Sequence, residues 1–277
     1  MKFGVQLYGP LNNMQGEVLE KLAALAKAGI AEIEPCVTTG PILGPEGVIW
    51  PADWLLAHVE EIRDMGLRIV SIHVFAENLV QSMDKLKAIA EKSGLKQFVV
   101  KTPENSTESI LQQTALNYMK AADMLETFGV RLLLHNEAGD IQTKIAGKTA
   151  YEHLLDLCMG KVGAQVDVGW VQFGGEDPAA FLERNAARVQ SVHHKDFGAG
   201  REPIAVPVGT GNVDLAACFR FAQSRDIPQL VDQEHFDSDV PGELQKVCQM
   251  LNGFAQNRKD TVSFLNVYDV KTGAVRT

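Results

Sequence analysis

The stretch Val130-Arg131-Leu132-Leu133-Leu134-His135-Asn136-Glu137 decides how this chain is read. An apolar centre this short, polar only at its ends, suits a strand covered on both faces. It follows Gly129, which closes a segment of helical period over Thr107–Phe128. Outward from it the same order repeats in both directions. Strands are expected at Lys2–Tyr8, Ala31–Pro35, Arg68–His73, Gln97–Lys101, Val130–Asn136, Gly163–Val168, Val189–Lys195 and Gln229–Glu234. Helices are expected at Glu17–Ala28, Ala52–Met65, Ser82–Ser93, Thr107–Phe128, Ala150–Cys158, Pro178–Asn185, Leu215–Ser224 and Gly242–Asn257. Such alternation predicts a parallel sheet of βα units. Eight units in 277 residues, close to the ~250 typical of one closed barrel, predict an α/β chain that is a single (β/α)8 TIM barrel. The barrel is expected over residues 1–260, with 261–277 as a C-terminal tail holding a turn at Asp269-Val270-Lys271-Thr272-Gly273. That tail has two readings, packing on the barrel or on a second copy of the chain, so a homo-oligomer stays open.

Hydrophobic residues at 45% and charged residues at 22% describe an ordinary globular chain and exclude a largely disordered one. Lys+Arg 26 against Asp+Glu 35 gives a net charge of −9, which argues against nucleic acid and anionic membrane as partners. Apolar runs such as Ile69-Val70-Ser71-Ile72 are far shorter than the ~20 residues of a membrane span. Cys36, Cys158, Cys218 and Cys248 are widely spaced without a C-x-x-C, and the start resembles no signal peptide. Reduced thiols and a cytoplasmic location are expected.

Chemistry in a barrel gathers where strands end, so polar residues there are the ones to question. The second strand ends in Glu34, the third in His73 and the fifth in His135-Asn136-Glu137. The sixth ends in Asp167-Val168-Gly169-Trp170, the seventh in His193-His194-Lys195-Asp196 and the eighth in Asp232-Gln233-Glu234-His235. A lone histidine or aspartate there is more often a satisfied strand-end group. Carboxylates and imidazoles from four successive strands, converging on one mouth, are what a divalent cation needs, and the O/N donor set suits Mn, Mg, Co or Zn. Side-chain alternation puts His193 with Lys195 on one face and His194 on the other, and puts Asp232 with Glu234. Two long βα loops, Cys36–Pro51 and Phe197–Val213, are candidate substrate walls, with Trp50 an apolar plate in the first.

At these residues the chain resembles the sugar phosphate isomerase/epimerase family of the xylose isomerase-like barrel superfamily, from the first strand to the last helix. Gly4-Val5-Gln6-Leu7-Tyr8 is similar to its first strand and Gly29-Ile30-Ala31-Glu32-Ile33-Glu34 to its second. Asp167-Val168-Gly169-Trp170, His193-His194-Lys195-Asp196 and the run from Pro207 to Asp214 resemble its "D-v-G-W", "H-x-K-D" and "v-G-x-G-x-x-D" stretches. The resemblance implies one divalent metal ion held at His135, Asp167, His193 and Asp232. His135 and Asp232 stand where the family has glutamates, so its two-carboxylate proton shuttle is in question here. Trp170 stands where tagatose-type epimerases carry a histidine, which is closer to the branch with inosose dehydratase-like proteins.

The expected activity is therefore that of a metal-dependent sugar isomerase or epimerase abstracting a proton beside a carbonyl held on the metal. Its small-molecule substrate is a sugar or polyol. His135, Asp232, Glu137 and Glu234 are the candidate catalytic groups. Glu34, His73, Lys195 and Arg201 are candidate substrate contacts, with Trp50 and Trp170 as walls; Arg201 lies in Gly200-Arg201-Glu202-Pro203, similar to a stretch of hydroxypyruvate isomerase-like members. The alternatives are a dehydratase on the same metal site and a sugar-binding barrel without catalysis. A Schiff-base aldolase using Lys101 or Lys195 leaves the acid and imidazole cluster unexplained, and a nuclease is opposed by the charge.

Overall fold

The computed structural model describes residues 3–256, apart from 41–44, 46, 77, 199–203 and 238, together with 268–269 and 274–275 in the tail. Its strands are β1 (Gly4–Gln6), β2 (Glu32–Glu34), β3 (Cys36–Thr38), β4 (Ile49–Pro51), β5 (Arg68–Ile69), β6 (Ser71–Phe75), β7 (Gln97–Lys101) and β8 (Arg131–His135). These are followed by β9 (Lys144–Ile145), β10 (Lys148–Thr149), β11 (Gly163–Asp167), β12 (Val189–His194), β13 (Gln229–Val231), β14 (Tyr268–Asp269) and β15 (Ala274–Val275). Eleven of them make one sheet in the order β4-β3-β6-β7-β8-β11-β12-β13-β1-β2-β5. The sheet closes on itself. Pro35 has no N–H to donate, and it splits the second stave into β2 and β3. Val70 splits the third into β5 and β6. Glu32 and Ile33 pair with Arg68 and Ile69, and Cys36 to Thr38 pair with His73 to Phe75, so these halves are neighbours along their whole length. With β13 paired to β1 through Val5 and Val231, eight parallel staves complete the expected barrel.

The helices are α1 (Tyr8–Asn13), α2 (Val18–Lys27), α3 (Ala52–Asp64), α4 (Met83–Ser93), α5 (Glu108–Glu126) and α6 (Ala138–Gln142), then α7 (Ala150–Leu157), α8 (Val168–Phe173), α9 (Pro178–Arg184), α10 (Leu215–Ser224) and α11 (Val240–Gln256). Side-chain oxygens of Thr107, Thr149, Asp177 and Asp214 accept from the backbone three residues on and start α5, α7, α9 and α10. Leu22, Leu25, Leu55, Ile62 and Phe98 are fully buried between helices and sheet. All four cysteines are free thiols.

Three short helices, α1, α6 and α8, depart from the expected alternation. α1 starts at Tyr8, inside the expected first strand, and α6 and α8 start directly off strand ends. The causes are local: Glu137 and Asp140 form a reciprocal capping box on α6, and Asp167 accepts from Trp170 N at 2.9 Å to start α8. The Cys36–Pro51 stretch, expected as irregular loop, contains β3 and β4. This moves Trp50: it is 1% exposed, packs on Trp54 at 5.0 Å and donates from Nε1 to Gly47 O at 3.2 Å. Trp50 is thus a core residue rather than a substrate wall. In the tail, Tyr268 pairs with Val275 and Asp269 with Ala274, while residues 270–273 of the expected turn lie outside the described residues. No described helix is long and apolar enough to cross a membrane.

Candidate active site and metal centre

His135 closes β8, Asp167 closes β11, His193 lies one residue from the end of β12, and Asp232 follows β13. Parallel register sets these four strand ends side by side, Gln165 opposite His135 and Asp167 opposite His193. One ligating atom from each of His135, Asp167, His193 and Asp232 lies within 4.8 Å of the others, and all four residues are buried. His73, from β6, joins His135 and His193 in a second such group. Its ring stacks on His193 at 5.5 Å and meets His135 edge-on at 4.9 Å.

The polar accounting inside this cluster is incomplete. Both ring nitrogens of His135 and Oδ2 of Asp167 are buried with no hydrogen-bond partner. Nε2 of His135 is 3.8 Å from that oxygen, too far for a hydrogen bond but a separation that a cation bonded at about 2 Å to each can bridge. Burial, with Asp232 adding to it, pushes the Asp167 carboxyl up to about 8 against the pull of Lys195. Burial and the neighbouring His73 and His193 hold His135 well below the usual imidazole value, so it is a neutral imidazole, the form that ligates metals. The donor set therefore fits a divalent cation.

His193 is differently held. Its Nδ1 donates to Asp232 Oδ2 at 3.2 Å and its Nε2 lies 2.8 Å from Glu34 Oε1. Burial disfavours the imidazolium, yet Glu34 and Asp232 outweigh it and carry His193 up to about 10. Asp232 remains ionised despite its burial because Lys195 and His193 face it. Glu34 itself is fully enclosed: Oε1 is 3.0 Å from His73 Nε2, and Oε2 accepts from Ser71 Oγ and, at 2.8 Å, from Gln165 Nε2. With no exposed surface and its oxygens turned to His73, His193, Ser71 and Gln165, Glu34 supports the histidines from below rather than touching substrate. Gln165, inward-facing on β11, also accepts from His73 Nε2 at 2.8 Å. In the sequence Gln165 is an amide between Ala164 and Val166 and carries no metal or acid-base signal.

Above the cluster opens a cavity of about 340 Å³ lined by Gln6, Tyr8, Cys36, Ile49, His73, Phe75, Lys101, His135, Glu137, Trp170, Lys195, Asp232 and Glu234. His73, Trp170, Lys195, Glu137 and Glu234 reach it together with His135 and Asp232. Glu234, two residues beyond Asp232, shares its side as alternation predicts, and Glu137, the N-cap of α6, stands two residues beyond His135. His194, one residue off, turns away to Gln229 Oε1 (2.7 Å) and the Phe3 ring. Lys195 Nζ lies 2.5 Å from Glu234 Oε1, 3.3 Å from Asp232 Oδ1 and 5.1 Å from the Trp170 ring centre. Across the cavity Lys101 donates to Glu137. Lys195 is buried and Lys101 stands partly exposed at the rim; burial works against both charges, but their carboxylate partners raise them above the ordinary lysine value. Arg201 lies outside the described residues.

Fold and site together define an α/β barrel with an acid and imidazole centre at its C-terminal mouth. The family described as the xylose isomerase-like TIM barrel matches residues 22–254, and the chain belongs to it. It is 28% identical over 142 residues, 51% of this chain, to the rhizopine catabolism protein MocC of Rhizobium meliloti. To inosose dehydratase of Geobacillus kaustophilus it is 31% identical over 97 residues, 35% of this chain. The matches span only 39% and 30% of those two proteins. Among solved structures it is similar to a sugar phosphate isomerase/epimerase from Parabacteroides distasonis (TM-score 0.66, 20% identity, 90% of this chain and 93% of that one). It is also similar to the probable 3-DHS dehydratase AsbF of Bacillus anthracis (0.68, 13%, 94% and 100%) and to the IolI protein with a bound zinc atom (0.64, 16%, 95% and 98%). At these identities the structures speak for the fold.

Proposed function

We propose that this chain is a metal-dependent sugar isomerase or epimerase that removes a proton from the carbon beside a substrate carbonyl. The observation that carries the reading is the stacking of two layers at one mouth. The lower layer is the buried His135, Asp167, His193 and Asp232 group with its unpartnered atoms; the upper is a pair of carboxylates, Glu137 and Glu234, each against a lysine. A divalent cation held by the lower layer supplies Lewis-acid polarisation of the carbonyl oxygen and offsets the charge that develops on it. The chain's own residues do the rest. Glu137 and Glu234 extend into the cavity from staves five and eight, so a ring between them presents opposite faces to two carboxylates. One Oε takes the proton and the lysine ammonium on the opposite side, Lys101 or Lys195, returns one, which inverts a centre. When a carboxylate is neutralised by that proton, its lysine is freed toward the developing oxyanion, and Trp170 keeps water off one edge.

The test is deuterium wash-in from heavy water over keto-sugars and inososes with Mn²⁺-supplemented protein, read by NMR. Solvent deuterium should enter the carbon beside the carbonyl, and Glu137→Gln or Glu234→Gln should slow entry by about 10² to 10⁴, the scale of a lost general base. No exchange into any of these substrates sinks the proposal. A second reading, dehydration, is favoured by Lys101 and Lys195, two protonated ammonium groups on the cavity that suit donation to a departing hydroxyl. Loss of water from the substrate, seen in the same spectra, decides for it.

A further inference from the structure

Beside the mouth runs a second, larger cavity of about 890 Å³, open to solvent, between the end of β6, the 78–81 loop and the middle of α5. His73, Phe75 and Lys101 line both cavities, so the larger opens directly off the smaller. The smaller, near the bottom of the ~300–1,000 Å³ range of ligand pockets, suits a single ring; the larger is more than that ring needs. Gln113, Leu116, Asn117 and Lys120 follow the i, i+3, i+4, i+7 spacing and present one face of α5 to it. Leu116 is 60% exposed there, and neither the Gln113 nor the Asn117 amide has a partner among the described residues. Opposite them lie Phe75 and Leu79, and Tyr118 is fixed beside them by its hydroxyl donating to Lys101 O at 2.8 Å.

The composition of this groove selects its occupant. In a chain with 35 acidic residues, no carboxylate and no arginine are among its described lining residues. The groove meets α5 in mid-helix, away from the N–H groups of its first turn, the Lys101 ammonium is neutralised by Glu137, and Lys120, exposed on the same helix face, offers one ammonium with no arginine fork beside it among the described lining residues, a thin set for a phosphate. Free amides beside apolar and aromatic surface suit instead a neutral ring bearing hydroxyls. We propose that the groove binds a second sugar ring, and that the substrate class is a glycoside whose reacting ring sits over the metal centre while its glycosidic partner lies along α5. This deepens the reading of the mouth as the reacting end and rests on it.

The test is calorimetric titration of the Mn²⁺-supplemented protein with maltose, cellobiose and lactose, against glucose, galactose and glucose 6-phosphate. At least one disaccharide should bind about tenfold more tightly than its constituent monosaccharides, the return of one or two added hydrogen bonds. The double variant Gln113→Ala/Asn117→Ala, whose changes are on a helix surface, and the groove-filling Thr114→Trp should each remove that advantage and leave monosaccharide affinity unchanged. Disaccharides no tighter than monosaccharides, glucose 6-phosphate tighter than any disaccharide, or an advantage that survives both variants overturns the proposal. Because the readout is binding, a disaccharide advantage without deuterium exchange upholds the groove and removes only the isomerase reading.

Discussion

Asp167 and His193 carry the electrostatic tension of the site, and its sign can be followed. His193 is raised to about 10, above the ~6.5 of an unfolded histidine, so the stability it contributes is whole below about pH 6.5 and is lost as pH rises through 10. Asp167 is raised to about 8, above the ~3.9 of an unfolded aspartate, so its buried carboxylate costs more stability as pH rises from about 4 through 8. Between pH 6.5 and 8 both act in one direction. The metal-free protein, kept in chelator, should therefore lose Tm as pH rises from 6.5 to 9. One pKa unit is worth about 1.4 kcal/mol and 1 kcal/mol moves Tm by roughly 2–4 °C in a chain of this size; with about 2.5 units from His193 and about 1.5 from Asp167 over this window, the fall should be on the order of 10 °C. Asp167→Asn should flatten part of that slope in differential scanning calorimetry. A Tm that climbs with pH over this window contradicts the assignment of both groups.

The loop after β12 is organised by one buried side chain. Asp196 Oδ1 accepts from Phe197 N and Val213 N, both at 3.1 Å, and Oδ2 from Gly209 N at 3.0 Å and Gly211 N at 2.8 Å. A Cβ on Gly211 would stand 2.2 Å from that Oδ1, which is why the chain has glycine there. Phe197, held in this way, packs on Trp170 at 4.6 Å, so the loop backs a wall of the cavity. Asp196→Ala strands four backbone donors and should cost about 2–4 kcal/mol, with faster amide hydrogen exchange at Gly209, Gly211 and Val213. Unchanged exchange at those amides argues against Asp196 as the anchor. The Gly209-Thr210-Gly211 turn was legible as a turn, but nothing in its spacing says that a carboxylate thirteen residues earlier closes it. The short helices α6 and α8 escaped for the same reason. Each is nucleated by the strand-end acid that also reads as a site residue, and one side chain gives one strong signal.

At the scale of the whole molecule the eight-fold alternation was legible because each stave is covered on both faces and reads as an apolar run between glycine stops. The inward face was legible for His193 with Lys195 and for Asp232 with Glu234, since a period of two leaves no choice. What sequence could not supply was depth. Glu34 is enclosed and Trp50 is packed against Trp54 of α3 because β3 and β4 continue the sheet after Glu34, a consequence of tertiary pairing that no local pattern encodes. Depth also carries the last prediction. The four proposed ligands come from β8, β11 and β12 and from the residue after β13, so a cation bound among them ties half of the barrel together. Binding to the folded chain alone stabilises it by about 2.7 kcal/mol when the free ion is at 100 times its dissociation constant, or roughly 5–10 °C in Tm. Because the ion takes the place of protons on Asp167 and His193, the gain should be larger at pH 8 than at pH 6. Thermal melts with Mn²⁺, Co²⁺, Zn²⁺ and Mg²⁺ at both values check this, with Asp167→Ala as the control that should melt at one temperature with or without metal. If no ion raises Tm in the unaltered protein, or if Asp167→Ala responds as fully, the centre is not where the His135, Asp167, His193 and Asp232 geometry puts it.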